Sequence, residues 1–193
     1  MKLYPLFFSS LLLLALGVNG CSPQDSSKTA AASKREVSLP TIAAEAKGFV
    51  VGALMSSNTV YVFFDTQCPH CGHLWNASVP LQRKVKFVWI PIGMINATSK
   101  AQGAALLTAA NPAALMSEHE ASLLAGQGGM AASSSIAPET AQSIKNNTQL
   151  LNSFGAESVP FIVAKNMKSG QTVSREGAMN TIELTEFLGL DTP

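Results

Sequence analysis

Residues 59–71 constrain this chain more than any other stretch. Thr59-Val60-Tyr61-Val62-Phe63-Phe64-Asp65 is β-branched or aromatic up to its terminal aspartate. It has no polar face to give to water, so it predicts a central strand covered on both sides. Thr66-Gln67 leads into Cys68-Pro69-His70-Cys71, and from Gly72 to about Lys84 the residues Leu74, Trp75, Val79 and Leu81 fall on one helical stripe. Pro80 interrupts that stripe and predicts a kink, or a helix end near Val79. Val85 to Ile92 is a second apolar run. Strand, helix and strand in that order form the βαβ unit of a parallel pair.

The flanking segments read less sharply. Between Thr41 and Ala53, Ile42, Ala46, Phe49 and Val50 recur at helical spacing and predict a short amphipathic helix or turn. Residues 97–154 are alanine-rich and read as helical, with breaks at Asn111-Pro112 and at Gly126-Gln127-Gly128-Gly129. Phe161 to Ala164 and Thr172 to Arg175 read as a hairpin turning near Lys168-Ser169-Gly170. Asn180 to Leu188 closes the chain as a helix with Asn180 or Thr181 as N-cap and Glu183 in its first turn. The order is βαβ, a helical insertion, then ββα.

A Cys-x-x-Cys at a helix start carries a specific chemistry. The first sulfur sits where unpaired backbone N–H groups and the helix dipole favour an anion, so the Cys68 thiolate is stabilised. Two intervening residues let the Cys71 sulfur close a disulfide with it. Pro69 fits the first helical turn, where its missing N–H is not needed, and His70 adds a polar, sometimes cationic neighbour. A stabilised thiolate stabilises the reduced form and makes the disulfide more oxidising. Cys68 is expected as the exposed attacking sulfur and Cys71, one turn in, as the buried resolving one. No cofactor is needed, since the two sulfurs themselves carry the electrons.

Two other readings of the cluster are weaker. Cys68, His70, Cys71 and His73 could form half of a metal site, but no second cysteine pair exists and His119 is the only other histidine. No metal is therefore expected. A purely structural disulfide closing so short a loop constrains little of the unfolded chain. His73 is read as a surface residue, and Asp65 and Glu45 are candidates for a proton relay near Cys71. Met94, Met116, Met130, Met167 and Met179 are scattered and read as packing, and Trp75 and Trp89 as core. A second signal is Ser158-Val159-Pro160-Phe161 at a strand entry. In a thioredoxin-like fold Pro160 would be a cis-proline packed against the Cys68–Cys71 pair, and the backbone of Val159 would pair with a substrate strand.

The N-terminus reads as an address. Lys2 precedes an apolar run from Leu6 to Leu16, too short for a helix to span a hydrocarbon core, which needs roughly 20 residues. Residues 1–20 are expected to be a cleaved signal peptide. Val18-Asn19-Gly20-Cys21 resembles a bacterial lipobox, which makes Cys21 the expected site of lipidation, and residues 21–40, rich in Ser, Lys, Ala and Gln, a tether without apolar periodicity. Lipid on Cys21 leaves Cys68 and Cys71 as a self-contained pair, and export places them where a disulfide can persist. With 13 Lys and Arg against 12 Asp and Glu, a net charge of +1, the chain lacks a nucleic-acid footprint. Charged residues make up only 13%, against 47% hydrophobic, which excludes a highly charged disordered chain.

From about Ile42 to Leu190 the chain resembles the catalytic domain of the periplasmic DsbC/DsbG disulfide-interchange proteins. The residues that carry the likeness are Val60 to Asp65, Cys68-Pro69-His70-Cys71 with Trp75, Pro80, Pro91-Ile92-Gly93, Asn147 to Phe154, and Val159-Pro160. The resemblance implies an α/β, thioredoxin-like fold over residues 41–193 with an inserted helical subdomain at about 97–154. It also implies catalytic cysteines at Cys68 and Cys71 and a cis-proline at Pro160. Three departures bear on function. Residues 22–40 are too short for the family's N-terminal dimerisation domain, and both Pro69-His70 and Val159 are like the oxidase DsbA. They favour a monomeric thiol oxidant, or a reductant of one client, over a disulfide isomerase. Exported protein thiols are the expected substrates and a membrane protein of DsbD or DsbB type the resetting partner. The expected location is the periplasm, with a lipid anchor in the outer membrane. A metal-handling lipoprotein and a non-catalytic binding module are the alternatives from other classes.

Overall fold

The computed structural model describes residues 34–191; the expected signal peptide, Cys21 and most of the tether lie outside them. The elements run α1 (Leu39–Glu45), β1 (Phe49–Gly52), β2 (Thr59–Asp65), α2 (Pro69–Ser78), a 3-10 turn (Val79–Leu81), β3 (Lys86–Ile92), α3 (Ala97–Thr108), α4 (Pro112–Leu124), α5 (Pro138–Ser153), β4 (Phe161–Lys165), β5 (Thr172–Glu176) and α6 (Thr181–Leu188).

The five strands form one sheet in the order β1-β3-β2-β4-β5. β2 is central and pairs parallel with β3, Phe63 opposite Ile90, and antiparallel with β4, Phe63 opposite Phe161. Its composition explains this position. Val60, Val62 and Phe64 enter one buried cluster with Trp75, Trp89, Leu184 and Leu188, while Phe63 enters the other with Ile42, Ile90, Leu151 and Phe154. Alternate side chains of one strand thus supply both cores, α2, α4 and α6 covering one face and α1 and α5 the other.

The 59–65 strand, the 161–165 and 172–176 hairpin and the closing helix stand where the sequence puts them. Asn180 caps α6 through a reciprocal pair: its side chain accepts from the Glu183 N–H at 3.0 Å, and the Glu183 carboxylate accepts from the Asn180 N–H at 3.0 Å. Two expectations need correction. The helix expected between Thr41 and Ala53 ends at Glu45, and Phe49–Gly52 is an edge strand antiparallel to β3, with Phe49 and Val51 buried and Val50 turned out. Gly48 permits this, because a Cβ there would lie 2.5 Å from the Trp89 carbonyl oxygen. Val79 leaves the expected stripe and is half exposed, because Pro80 draws the chain into a 3-10 turn that rotates it outward.

Candidate active site

The site forms where β2 ends and α2 begins. Cys68 is the N-cap residue of α2, Pro69 occupies the first helical position, and Cys71 lies one turn in. Both cysteines are free thiols. Cys71 is fully buried and Cys68 is only 5% exposed, so the expected exposed sulfur at Cys68 is corrected. The loop before β4 covers it: the Val159–Pro160 peptide is cis, and in its thiol form the Cys68 Sγ donates to the Val159 carbonyl oxygen at 3.4 Å. His70 and Pro69 are exposed, as is His73 one turn further on.

The two sulfurs are electrostatically distinct. The Cys68 thiol is lowered to about 6, mainly because the Cys71 thiol donates to its sulfur; burial works in the opposite direction. The backbone amides of Cys71 and His70 and the His70 ring add smaller contributions. Cys71 is pushed well above the usual thiol range by burial first, then by its bond to Cys68 and by the charges of Cys68 and Glu120. At neutral pH the pair is one thiolate and one thiol.

The strand end is held by Asp65. Its buried carboxylate accepts from the N–H groups of Gln67 (2.9 Å), Met94 (2.7 Å) and Ile95 (3.0 Å) and from the Ser99 hydroxyl (2.6 Å). With every lone-pair direction engaged, Asp65 ties β2 to the start of α3 and serves the fold, not a relay. Glu45 is no relay either: it sits on the surface of α1 in a two-pronged pair with Arg35 at 2.8 and 3.0 Å.

The carboxylate that does approach the cysteines is Glu120, on α4. Gly72 allows this, since a Cβ there would lie 2.5 Å from the Glu120 Oε2 and 3.2 Å from the Leu124 side chain. Burial and then the Cys68 charge push the Glu120 carboxyl up to about 8. The sequence reading passed over it, although Met116, His119 and Glu120 stand at i, i+3 and i+4, the spacing of a buried helix face. His119 is fully committed: its Nε2 bonds the Thr66 carbonyl oxygen at 2.7 Å and its Nδ1 accepts from the Met130 N–H at 3.1 Å. Through these bonds, and through Gln102 donating to the Gly128 and Met130 carbonyl oxygens at 3.0 and 2.8 Å, the 126–130 loop is fastened beside Gln67.

Among the described residues no group of three or more His, Cys, Asp or Glu side chains is placed to hold a metal. Trp75 lies in the core against Trp89, ring centroids 5.2 Å apart. Met116 and Met179 are buried, whereas Met94 and Met167 are over 40% exposed, which corrects the expectation that all the methionines are packing residues.

No protein-family model matches the chain. It is 30% identical over 144 residues, 72% of its length, to the thiol:disulfide interchange protein DsbG of Pseudomonas aeruginosa, of which it covers 54%. It is also 30% identical over 105 residues, 53% of its length, to DsbG of Escherichia coli, of which it covers 42%. The chain thus spans about half the length of the curated relatives it matches. A solved periplasmic thioredoxin-like protein from Salmonella enterica serovar Typhimurium superposes with a TM-score of 0.64 at 16% identity, over 80% of this chain and 97% of that one. The fold is therefore thioredoxin-like, and over its aligned length the chain is similar to the DsbG thiol:disulfide interchange proteins.

Proposed function

We propose that this chain exchanges disulfides with exported proteins through Cys68 and Cys71. The observation that carries the reading is the asymmetric pair at the head of α2, one sulfur held near 6 and its partner held as a thiol. The Cys68 thiolate attacks a substrate disulfide, or in the other direction the substrate thiolate attacks Cys68. Cys71 resolves the mixed disulfide. The backbone of Val159, beside the Cys68 sulfur and ahead of Pro160, offers its polar groups to an unfolded substrate. His70 acts by favouring the thiolate, and Pro69 by shaping the first turn.

The likeness to DsbG supports a periplasmic place of action on protein thiols and disulfides. The finer parts of the proposal rest on the sequence: a signal peptide over residues 1–20, a lipid anchor at Cys21 in the outer membrane, a monomer, and a DsbD- or DsbB-type protein that resets the pair.

The thiolate makes the disulfide more oxidising. A thiol lowered from 9.0 to about 6 stabilises the reduced form at pH 7 by at most about 1.4 kcal/mol, about 30 mV in potential, less whatever solvent at the rim screens. Equilibration of the full chain with glutathione measures the potential. A value near about −120 mV makes it a donor of disulfides, and one near about −270 mV a reductant. A pair that does not cycle, or a Cys68→Ser protein that exchanges as fast as the wild type, overturns the proposal.

A further inference from the structure

The exchange scheme leaves one buried ionisable group unused. Glu120 is completely buried, and among the described residues neither of its oxygens has a hydrogen-bond partner. Asp65, equally buried, has four donors. A carboxyl group left unpaired in a core costs free energy that a well-packed apolar side chain would not. Nothing in the packing of α4 calls for an acceptor here, yet the Oε2 is aimed at the backbone of Gly72, the residue directly after Cys71.

We propose that Glu120 receives the Cys71 proton when the mixed disulfide is resolved. The inference rests on the exchange reading above. In this step the Cys71 sulfur attacks Cys68 within the Cys68–substrate disulfide. The Cys71–Cys68 bond forms as the Cys68–substrate bond breaks, the substrate sulfur leaves with the electron pair as a thiolate, and the proton of Cys71 passes to the Glu120 carboxylate. The pair Cys68 and Cys71 is oxidised and the substrate disulfide reduced, so no further oxidant is required. In the reverse direction protonated Glu120 returns the proton as Cys71 leaves Cys68.

The surroundings of Glu120 make its charge depend on the state of Cys68. The elements packed on α4 are α2, α3 and β1. From α2 the groups facing it are Cys68 and Cys71, since His70 and His73 are exposed. The titratable group of α3, Lys100, is exposed and packs at Gly93, and β1 carries none. On α4 itself His119 is tied to backbone through both ring nitrogens, and Glu118 is exposed. While Cys68 is a thiolate, its charge and burial keep the Glu120 carboxyl neutral. Once Cys68 is bonded to substrate that charge is gone, the carboxyl becomes more acidic, and its proton leaves with the first substrate sulfur. The carboxylate fraction beside Cys71 therefore rises at the moment a base is needed.

A chromogenic aromatic disulfide tests this in a single turnover of the reduced full chain. The first thiolate released reports attack by Cys68, and the second reports resolution by Cys71. In Glu120→Gln we expect the first phase within about threefold of wild type and the second slowed about 100-fold, with its rise between about pH 5 and 8 lost. Glu120→Asp should restore part of the second phase. A Glu120→Gln protein that resolves at the wild-type rate with the wild-type pH profile overturns the proposal. So does a wild-type second phase that is flat over that pH range, which decides the matter even where the variant does not fold. Absence of the first phase in the wild type would instead sink the exchange reading itself.

Discussion

At Cys68 the decisive field comes from within one helical turn, with the Cys71 thiol the largest contributor and the exposed His70 ring the smallest. The same shift governs stability. A thiol lowered in the folded state contributes stability that is fully present above its unfolded value of 9.0 and is lost as pH falls through about 6. Glu120 has the opposite sign: raised from 4.5 to about 8, it contributes stability below the lower value that is lost as pH rises toward the upper one. The disulfide form has no Cys68 thiolate. In a Glu120→Gln background, where the opposing contribution of Glu120 is removed, the stability of the reduced protein relative to the oxidised one should therefore rise between pH 6 and 9, by at most about 1.4 kcal/mol per pH unit. Paired denaturant titrations of the two forms across that range, with the ultraviolet thiolate absorbance followed alongside, check the sign and the midpoint. A gap that stays constant with pH would contradict the assignment.

Among the elements, α2 and α6 show how local signals and packing divide the work. α6 is eight residues long and depends on its cap and on its seat against α2, where the Thr181 hydroxyl donates to the Ala77 carbonyl oxygen at 2.9 Å. Asn180→Ala removes one half of the reciprocal cap and should cost about 1 kcal/mol, read as a lower denaturation midpoint at unchanged slope. This cap was legible, because Asn180 and Glu183 stand three apart just before an apolar run. β1 was not. Phe49–Gly52 is too short for a period of two to be told from a helical one, and it becomes a strand because β3 offers it a free edge.

For the whole molecule, the sheet order places a strand that feeds both cores at the centre and the cysteine pair at its end. The Val159–Pro160 loop and the segment that carries Glu120 and the 126–130 loop then converge there from two distant parts of the chain. No helix of the described residues is long and apolar enough to cross a membrane. The proposed attachment is at Cys21, outside those residues. In fractionated cells Cys21→Ser should move the protein from the membrane to the soluble fraction while leaving the Cys68–Cys71 potential within about 10 mV of the original, roughly a twofold change in equilibrium constant. Retention of the variant on membranes would exclude the lipid anchor.

The sequence alone determined the central strand, the parallel unit around the cysteines, the place of Cys68 and Cys71 at a helix start and the hairpin after Pro160. Each of these is encoded within a window of a few residues, by uninterrupted apolar composition, by helix-start spacing or by turn residues. The tertiary structure decided the rest: the burial of Cys68 beneath Val159, Asp65 as a buried anchor, Glu45 as a surface ion pair, and Glu120 as the carboxyl beside the sulfurs. These depend on contacts between residues that lie from ten to 91 positions apart. A carboxylate has the same composition whether it faces four donors, an arginine or none, and only the packing of α4 on Gly72 shows which.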